Sequence, residues 1–326
     1  MLHGGCSALA GPLVTTRTVA VIEAAEELAV HSTGRGARVW ADTFALEQVA
    51  AALDNGEPEP VVQRVVARVV EHLTASAYER SSARLCAGTV AEVVSRLGED
   101  AGVVLDIGTG TGTVAAAASS SGRKVSGMDM DQSMVAFAAR RHPHVAFARA
   151  ALPRLPCADE AFDAVTANFV LNHTPDPRAD AEHLRRPLRR GGQLVATIWP
   201  SQTMLLNQMW NDVMRQASVS PPPAVRLSPE LDFERTSDGF AALLADAGLA
   251  HVDCHEMRWS FEVEPDELWV AVEAGIAVVG QTYRSQTSSG PKRMRTAFEE
   301  VTGPLTTEGT WVLPSIALLA CAWRSP

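Results

Sequence analysis

Lysine is nearly missing from this 326-residue chain: Lys124 and Lys292 are the only two, so arginine supplies almost all of its 28 basic residues. Against 38 acidic residues this leaves a formal net charge of −10. Grip on a nucleic-acid backbone needs clustered cations that displace counterions, so a nucleic-acid partner is not expected. Cysteine is scarce as well. Cys6, Cys86, Cys157, Cys254 and Cys321 are odd in number and scattered, with no C-x-x-C pair, which argues against a disulfide framework and a zinc site. Reduced thiols in a cytoplasmic protein are the expectation. His142 and His144 sit in a turn without acidic or cysteine partners. His251 and His255 lie four apart on a candidate strand, ~13 Å by strand rise, so no metal is expected. No run approaches the ~18 apolar residues of a membrane span. Met1 to Thr15 also lack a basic segment followed by an uninterrupted apolar one, so neither a membrane segment nor a secretory leader is expected.

What is present is an ordinary core-forming composition, 46% hydrophobic and 20% charged. Helical patterns at Val19 to Val30, Trp40 to Leu53 and Val61 to Leu73 predict an N-terminal helical extension over residues 1–70. It is broken by Gly34 and Gly36 and by the turn signal Asn55-Gly56-Glu57-Pro58-Glu59-Pro60. A further helix is expected from Ala87 to Leu97. From Val103 the pattern changes to short apolar runs alternating with helices. Strands are expected at Val103 to Leu105, Lys124 to Met128, Val145 to Ala148, Ala164 to Ala167, and Gln193 to Ile198 after a Gly191-Gly192 turn. Helices are expected at Val114 to Ser119, Gln132 to Arg141, Arg178 to Leu188 and Ser237 to Ala247. Two later strands are expected at His251 to Trp259 and Ile316 to Trp323. Continuous apolar strands covered on both faces imply an α/β fold, a Rossmann-like seven-stranded, mostly parallel sheet with helices on both sides. Residues 71–326 form that domain in this reading. Insertions at about 200–235 and 261–314 follow strand ends, where open α/β sheets bind ligands, and are read as a substrate lid.

One loop stands out. A buried strand ends at Asp106, and Gly108, Gly110 and Gly112 follow at alternate positions. Glycine lets the backbone turn sharply and admits a ligand against the main chain, and the following helix points free N–H groups at that spot. The dinucleotide fingerprint is G-x-G-x-x-G, and Thr113 stands where its third glycine would fall. The second strand ends at Asp129, about 20 residues on, where a carboxylate can accept both hydroxyls of a ribose. An adenosine-containing ligand fits both features. The alternative for Asp129 is a helix cap, a role that Asp131 suits better.

Val103-Val104-Leu105-Asp106-Ile107-Gly108-Thr109-Gly110-Thr111-Gly112 resembles motif I of the class I S-adenosylmethionine-dependent methyltransferases, and Val125-Ser126-Gly127-Met128-Asp129 resembles their second motif. Leu155-Pro156-Cys157-Ala158-Asp159-Glu160-Ala161-Phe162-Asp163-Ala164-Val165 is similar to the stretch entering their fourth strand, and Val170 to Pro177 to the segment after it. Leu184 to Gly192 and Leu243 to Leu249 resemble two later turns. The set is closest to the ubiquinone/menaquinone-biosynthesis type and runs in order from about Tyr78 to Trp259. The resemblance implies S-adenosyl-L-methionine as cofactor. Asp106 and the loop glycines Gly108, Gly110 and Gly112 would hold its methionine moiety, Asp129 its ribose, and Met130 its adenine face. Asn168 and Phe169 would face the sulfonium and the acceptor, and Tyr78 would close over the methionine end.

One position departs from the family. Where it often has an Asp-Ala pair whose acid binds the adenine amino group, this chain has Ala151-Leu152, leaving backbone contacts only. The lost hydrogen bond is worth roughly 1 kcal/mol. His173, just past the fourth strand, is the candidate base, with packing in the connection as its alternative. The expected reaction is methyl transfer to an oxygen or carbon of a small-molecule acceptor in biosynthesis, including specialised metabolism. A cyclase-like or binding protein that keeps the cofactor structurally is the alternative; a nicotinamide enzyme is disfavoured by Thr113. The helices of residues 1–70 offer a homodimer surface. The acceptor itself has no readable motif.

Overall fold

The computed structural model of the chain describes residues 59–223, 226–287, 289–305 and 309–326. The helices expected at Val19 to Val30 and Trp40 to Leu53 lie outside the described residues, as does most of the proposed dimer surface. The chain divides into two compact units, Met1–Ala77 and Tyr78–Pro326. In the first, the apolar spacing from Val61 to Leu73 belongs to a longer helix, α1 (Glu59–Arg80), which carries the boundary between the units.

The second unit opens with α2 (Ser82–Cys86), a 3-10 turn (Ala87–Thr89) and α3 (Val90–Ser95). The single helix expected from Ala87 to Leu97 is thus divided. The Thr89 hydroxyl donates to the Cys86 carbonyl at 2.8 Å, a local bond of the kind that competes with a regular helix. The sheet follows: β1 (Val103–Ile107), α4 (Thr113–Ser120), β2 (Lys124–Asp129), α5 (Gln132–Arg141), β3 (Ala146–Arg149), β4 (Phe162–Asn168), α6 (Pro177–Arg185) and β5 (Leu188–Ile198). Then come α7 (Leu205–Gln216), α8 (Ser237–Asp246), β6 (Leu249–Val263), α9 (Pro265–Glu273), α10 (Ala277–Arg284), α11 (Gly290–Thr302) and β7 (Trp311–Arg324). The strand order is β3-β2-β1-β4-β5-β7-β6, with β7 antiparallel to both neighbours and the β1–β5 pairings parallel. This is the expected Rossmann-like, seven-stranded sheet.

Alternation along the strands decides the layers. Leu105, Ile107, Leu194, Ala196, Ile198, Leu318 and Ala320 face one side, where they pack with Leu184 of α6 and Phe240, Leu243 and Leu244 of α8. Val104, Val195, Leu319 and Cys321 face the other, against Val93 of α3 and the small residues Ala115 and Ala118 of α4. Caps set the helix starts. Asp131 accepts from the Ser133 N–H as expected, Asp176 from Ala179 before Pro177, and Thr236 from Gly239.

Several boundaries differ from the sequence reading, two of them in ways that shape the fold. Gly191-Gly192 is not a turn ahead of β5 but an excursion inside it. Phe162 pairs with Leu188 and Ala164 with Gln193, so three extra residues bulge from β5. A Cβ on Gly192 would lie 2.8 Å from the Arg189 carbonyl and 3.0 Å from that of Asp163, which leaves room only for glycine. The second insertion is also shorter than 261–314. β6 runs on to Val263 and β7 begins at Trp311, leaving 264–310 between them. Phe261, Val263, Trp311 and Leu313 alternate inward on this extension. Pro314 is tolerated there because β5 stops pairing at Leu318, so β7 has only β6 beside it. The extended hairpin carries a third core: Phe261, Val263, Trp311 and Leu313 pack with Met209 and Val213 of α7, Leu268 and Trp269 of α9, Val279 of α10, and Met294 and Phe298 of α11.

Candidate cofactor and acceptor site

β1 delivers Asp106 to the carboxyl edge of the sheet, and the chain turns there through three glycines in the left-handed region: Gly108 (φ 63°), Gly110 (φ 54°) and Gly112 (φ 87°). A side chain at Gly108 would put its Cβ 2.5 Å from Val170 Cγ2, so this strand end meets the segment after β4 in direct contact. The turn borders a cleft that opens to solvent. Of the residues expected at the site, Tyr78, Asp106, Gly108, Gly110 and Asn168 line it. Asp129 joins them through a hydrogen bond, its Oδ2 accepting the Gly110 N–H at 2.8 Å.

Others are placed elsewhere. Gly112 caps α4 and faces Phe147 and His142, so its smallness serves packing instead of the cleft wall. Met130 follows β2 and is 69% exposed, leaving its side chain free to cover a ligand. Ala151 forms a two-residue bridge with Arg154, and Leu152 packs against the core between sheet and helices. Phe169 and His173 follow β4 off the cleft wall. Burial, and then the charge of Arg235, hold the His173 imidazole below its ordinary value, so it is neutral and able to accept a proton at pH 7.

Sequence reasoning missed several residues. Cys86 lines the cleft, as do Thr109 and Thr111, which fill the variable places of the glycine loop, and Thr113, which opens α4; the run of threonines was the available signal. Burial pushes the Cys86 thiol up to about 12, so it stays protonated beside Tyr78, whose phenol is also raised, chiefly by burial.

Each charged group has a defined state. Asp106 is buried; Oδ2 accepts from the Thr109 hydroxyl and Oδ1 from that of Thr166, both at 2.6 Å. Burial outweighs those bonds and raises its pKa to about 6. Asp129 is raised as well, mainly by burial, although Gly110 and Asp131 N–H groups support its charge. A carboxylate offers about four lone-pair sites, so each acid keeps free ones. Asp129 keeps lone-pair capacity beyond its backbone donors, which suits the hydroxyls of a ribose. On Asp106 that capacity suits an ammonium. The Thr111 hydroxyl is buried on the cleft wall without a hydrogen-bond partner among the described residues. An orphaned polar group of this kind is costly unless a ligand meets it. Donor set, free lone pairs and orphan together fit S-adenosylmethionine.

Beside the cleft lies an aromatic wall. Phe169 is held in the left-handed region (φ 58°). Its N–H donates to both the carbonyl and the hydroxyl of Thr197, each at 3.0 Å. This turn stacks its ring on Trp199 at 3.8 Å between centroids, and Trp259 lies 6.2 Å beyond. Asn172 clamps the same corner, donating to the Trp199 carbonyl and accepting its N–H. Gly88 abuts the Trp259 indole, between cleft residue Ala87 and Thr89, which contacts Asn168. Among the described residues no helix is long and apolar enough to cross a membrane.

The chain is similar in sequence to known methyltransferases. The family model described as "Methyltransferase domain" matches residues 105–196, from β1 into β5. A demethylmenaquinone methyltransferase of Renibacterium salmoninarum is 29% identical over 164 residues, covering 48% of this chain and 69% of the relative. One from Beutenbergia cavernae is 35% identical over 154 residues, covering 44% and 64%. One from Mycolicibacterium paratuberculosis is 33% identical over 166 residues, covering 48% and 69%. The aligned stretches account for about two thirds of these relatives. With the strand order and the occupied motif positions, they place the chain in the class I S-adenosylmethionine-dependent methyltransferases, resembling the ubiquinone/menaquinone type.

Proposed function

We propose that the protein moves the methyl group of S-adenosylmethionine to an oxygen or carbon of a small-molecule acceptor, within biosynthesis or specialised metabolism. The observation that carries this reading is the cleft itself, where Asp106, the glycine turn, the orphaned Thr111 hydroxyl and the spare lone pairs of Asp129 converge. When bound, the cofactor supplies a methyl group already activated on a sulfonium, so the protein's work is chiefly positioning.

Asp106 pairs with the ammonium and Asp129 holds the ribose. Met130 covers the adenine, and the backbone at Ala151 and Leu152 borders it. Gly112 sets the start of α4 and so the direction of its N-terminus. Tyr78 closes over the methionine end. Phe169, with Trp199 and Trp259, offers flat apolar area for the acceptor. The helices of 200–235 and 264–310 form the lid that excludes water over it. His173, neutral at pH 7, is the base for an acceptor that must lose a proton, reaching the site when the acceptor is bound. Residues 1–70 are the proposed dimer surface.

The test is binding and turnover with labelled S-adenosylmethionine. Wild type is expected to bind it and, with a true acceptor, to release S-adenosylhomocysteine, which a cyclase-like protein would not form. Asp129→Ala loses the ribose contacts and the Gly110 bond, weakening binding roughly thirtyfold, about 2 kcal/mol for hydrogen bonds to a charged group. Absence of binding by wild type, or an unchanged affinity in Asp129→Ala, refutes the reading.

A further inference from the structure

Asn168 ends β4 with its side chain on the cleft wall. Its Oδ1 lies 2.5 Å from the Thr197 hydroxyl and 2.8 Å from that of Thr89. The proton count fixes which end of the amide faces which way. Thr197 Oγ1 already accepts the Phe169 N–H at 3.0 Å, so its own proton must be donated. Asn168 Oδ1 is the acceptor in reach. The flipped amide would turn NH2 toward Thr197 and leave the hydroxyl proton without an acceptor, a costly arrangement in a buried site. Thr89 tolerates either state, because its proton can go to the Cys86 carbonyl at 2.8 Å. Thr197 therefore decides the orientation, and Thr89 supports it.

The consequence is that the Asn168 NH2 group lies at the cleft with no acceptor among the described residues. Two N–H donors are badly matched to a sulfonium cation and to the N–H groups of an amine. They are well matched to an oxygen that carries negative charge. Resting on the methyltransferase reading above, we infer that Asn168 is the hydrogen-bond donor for the acceptor's oxygen. The acceptor then belongs to the oxyanion class, a phenolate or enolate held against Phe169, Trp199 and Trp259. Thr197 and Thr89 are positioning residues that fix the donor's direction.

The chemistry balances without a further reactant. An oxyanion lone pair forms the new bond to the methyl carbon as the carbon–sulfur bond breaks. The electron pair of that bond stays on sulfur, and a neutral thioether and a neutral ether result from one cation and one anion. For an enolate the new bond forms at carbon and the oxygen returns to a carbonyl. In both cases the amide stabilises charge on oxygen in the bound state, lowering the acceptor's apparent pKa and so the demand for a base.

The test uses the full chain saturated with S-adenosylhomocysteine and a matched pair of coloured probes, 4-nitrophenol and 4-nitroaniline. Wild type is expected to hold the phenolate roughly tenfold tighter than the aniline or better, the range of a hydrogen bond to a charged group. The phenolate absorption band should also grow on binding near the probe's free pKa. Asn168→Asp replaces the donor by an anion; the preference disappears and the spectral shift reverses. Thr197→Val frees the amide and reduces the preference, and Thr197→Ser restores it, which loss of packing alone would not produce. Equal affinities for the two probes in wild type, undetectable binding of both included, overturn the inference. It is also overturned if Asn168→Asp weakens S-adenosylhomocysteine but not 5′-methylthioadenosine, because the amide then serves the cofactor's carboxylate. Failure of wild type to bind S-adenosylhomocysteine at all overturns the methyltransferase reading, and this one with it.

Discussion

Replacing Asp106 by asparagine should stabilise the empty protein at neutral pH and weaken its hold on the cofactor. The carboxyl is fully buried, and burial lifts its pKa from the ordinary 3.8 to about 6. That rise corresponds to roughly 3 kcal/mol against the ionised form. The sign follows from proton linkage. A raised folded-state pKa favours the folded state below the unfolded value, and that stability is lost as pH rises through about 6. Above pH 7 the wild-type protein therefore carries the whole cost of a buried anion; at pH 5 it carries roughly half. Asparagine has the same shape and no charge. It keeps an oxygen for one of the Thr109 and Thr166 hydroxyls and can donate to the other.

The measurement is thermal unfolding of both proteins from pH 5 to 8. Asp106→Asn should melt higher by roughly 6 °C at pH 7.5, taking about 2 °C per kcal/mol for a domain of this size. The gap should shrink toward pH 5. Calorimetry with S-adenosylhomocysteine completes the test. The wild-type affinity should fall below pH 6 as the carboxylate that faces the ammonium takes up a proton. The variant should bind roughly ten- to a hundredfold more weakly at pH 7.5 with no such pH dependence. A variant that is less stable than wild type at pH 7.5, or that shares its binding profile, refutes the reasoning.

Two further outcomes follow from the same structure. Gly108→Ala places a Cβ 2.5 Å from Val170 in a left-handed backbone, which costs roughly 1–2 kcal/mol before any clash; lowered melting and at least tenfold weaker cofactor binding are expected, and wild-type values for both would count against the tight β1–β4 contact. Trp311→Ala empties the core of the helical insertion and should cost about 3–5 kcal/mol. Circular dichroism should then show an early transition of that unit while S-adenosylhomocysteine binding persists and acceptor turnover is lost; parallel loss of cofactor binding would show that the insertion is not a separate lid.

Much of the candidate cofactor cleft was legible because it is local in sequence. A strand, a glycine turn and a helix start need only a dozen consecutive residues, so Asp106, Gly108 and Gly110 could be read directly, and Asp129 followed at the end of the next strand. Apolar and polar residues alternate from Met257 to Val263, yet the strand was expected to end at Trp259, four residues short of where β6 stops. Pro314 hid the matching extension of β7, because its tolerance depends on β5 having stopped, a fact of sheet register. Gly112 shows the opposite case. It reads as a ligand glycine from its spacing, yet its neighbours Phe147 and His142 make it a packing glycine.

The acceptor side is where sequence alone ended. Thr89, Asn168 and Thr197 lie 79 and 29 residues apart, and nothing in their types marks them as a unit. The sequence by itself determined the sheet, the order of its helices and the glycine turn at the end of β1, because those depend on short-range periodicity and turn chemistry. Only the tertiary structure decided which hydroxyls meet the Asn168 side chain, where the second insertion begins and ends, and which aromatic rings stack beside the cleft. Those depend on hydrogen-bond counts and contacts between segments that the chain brings together only on folding.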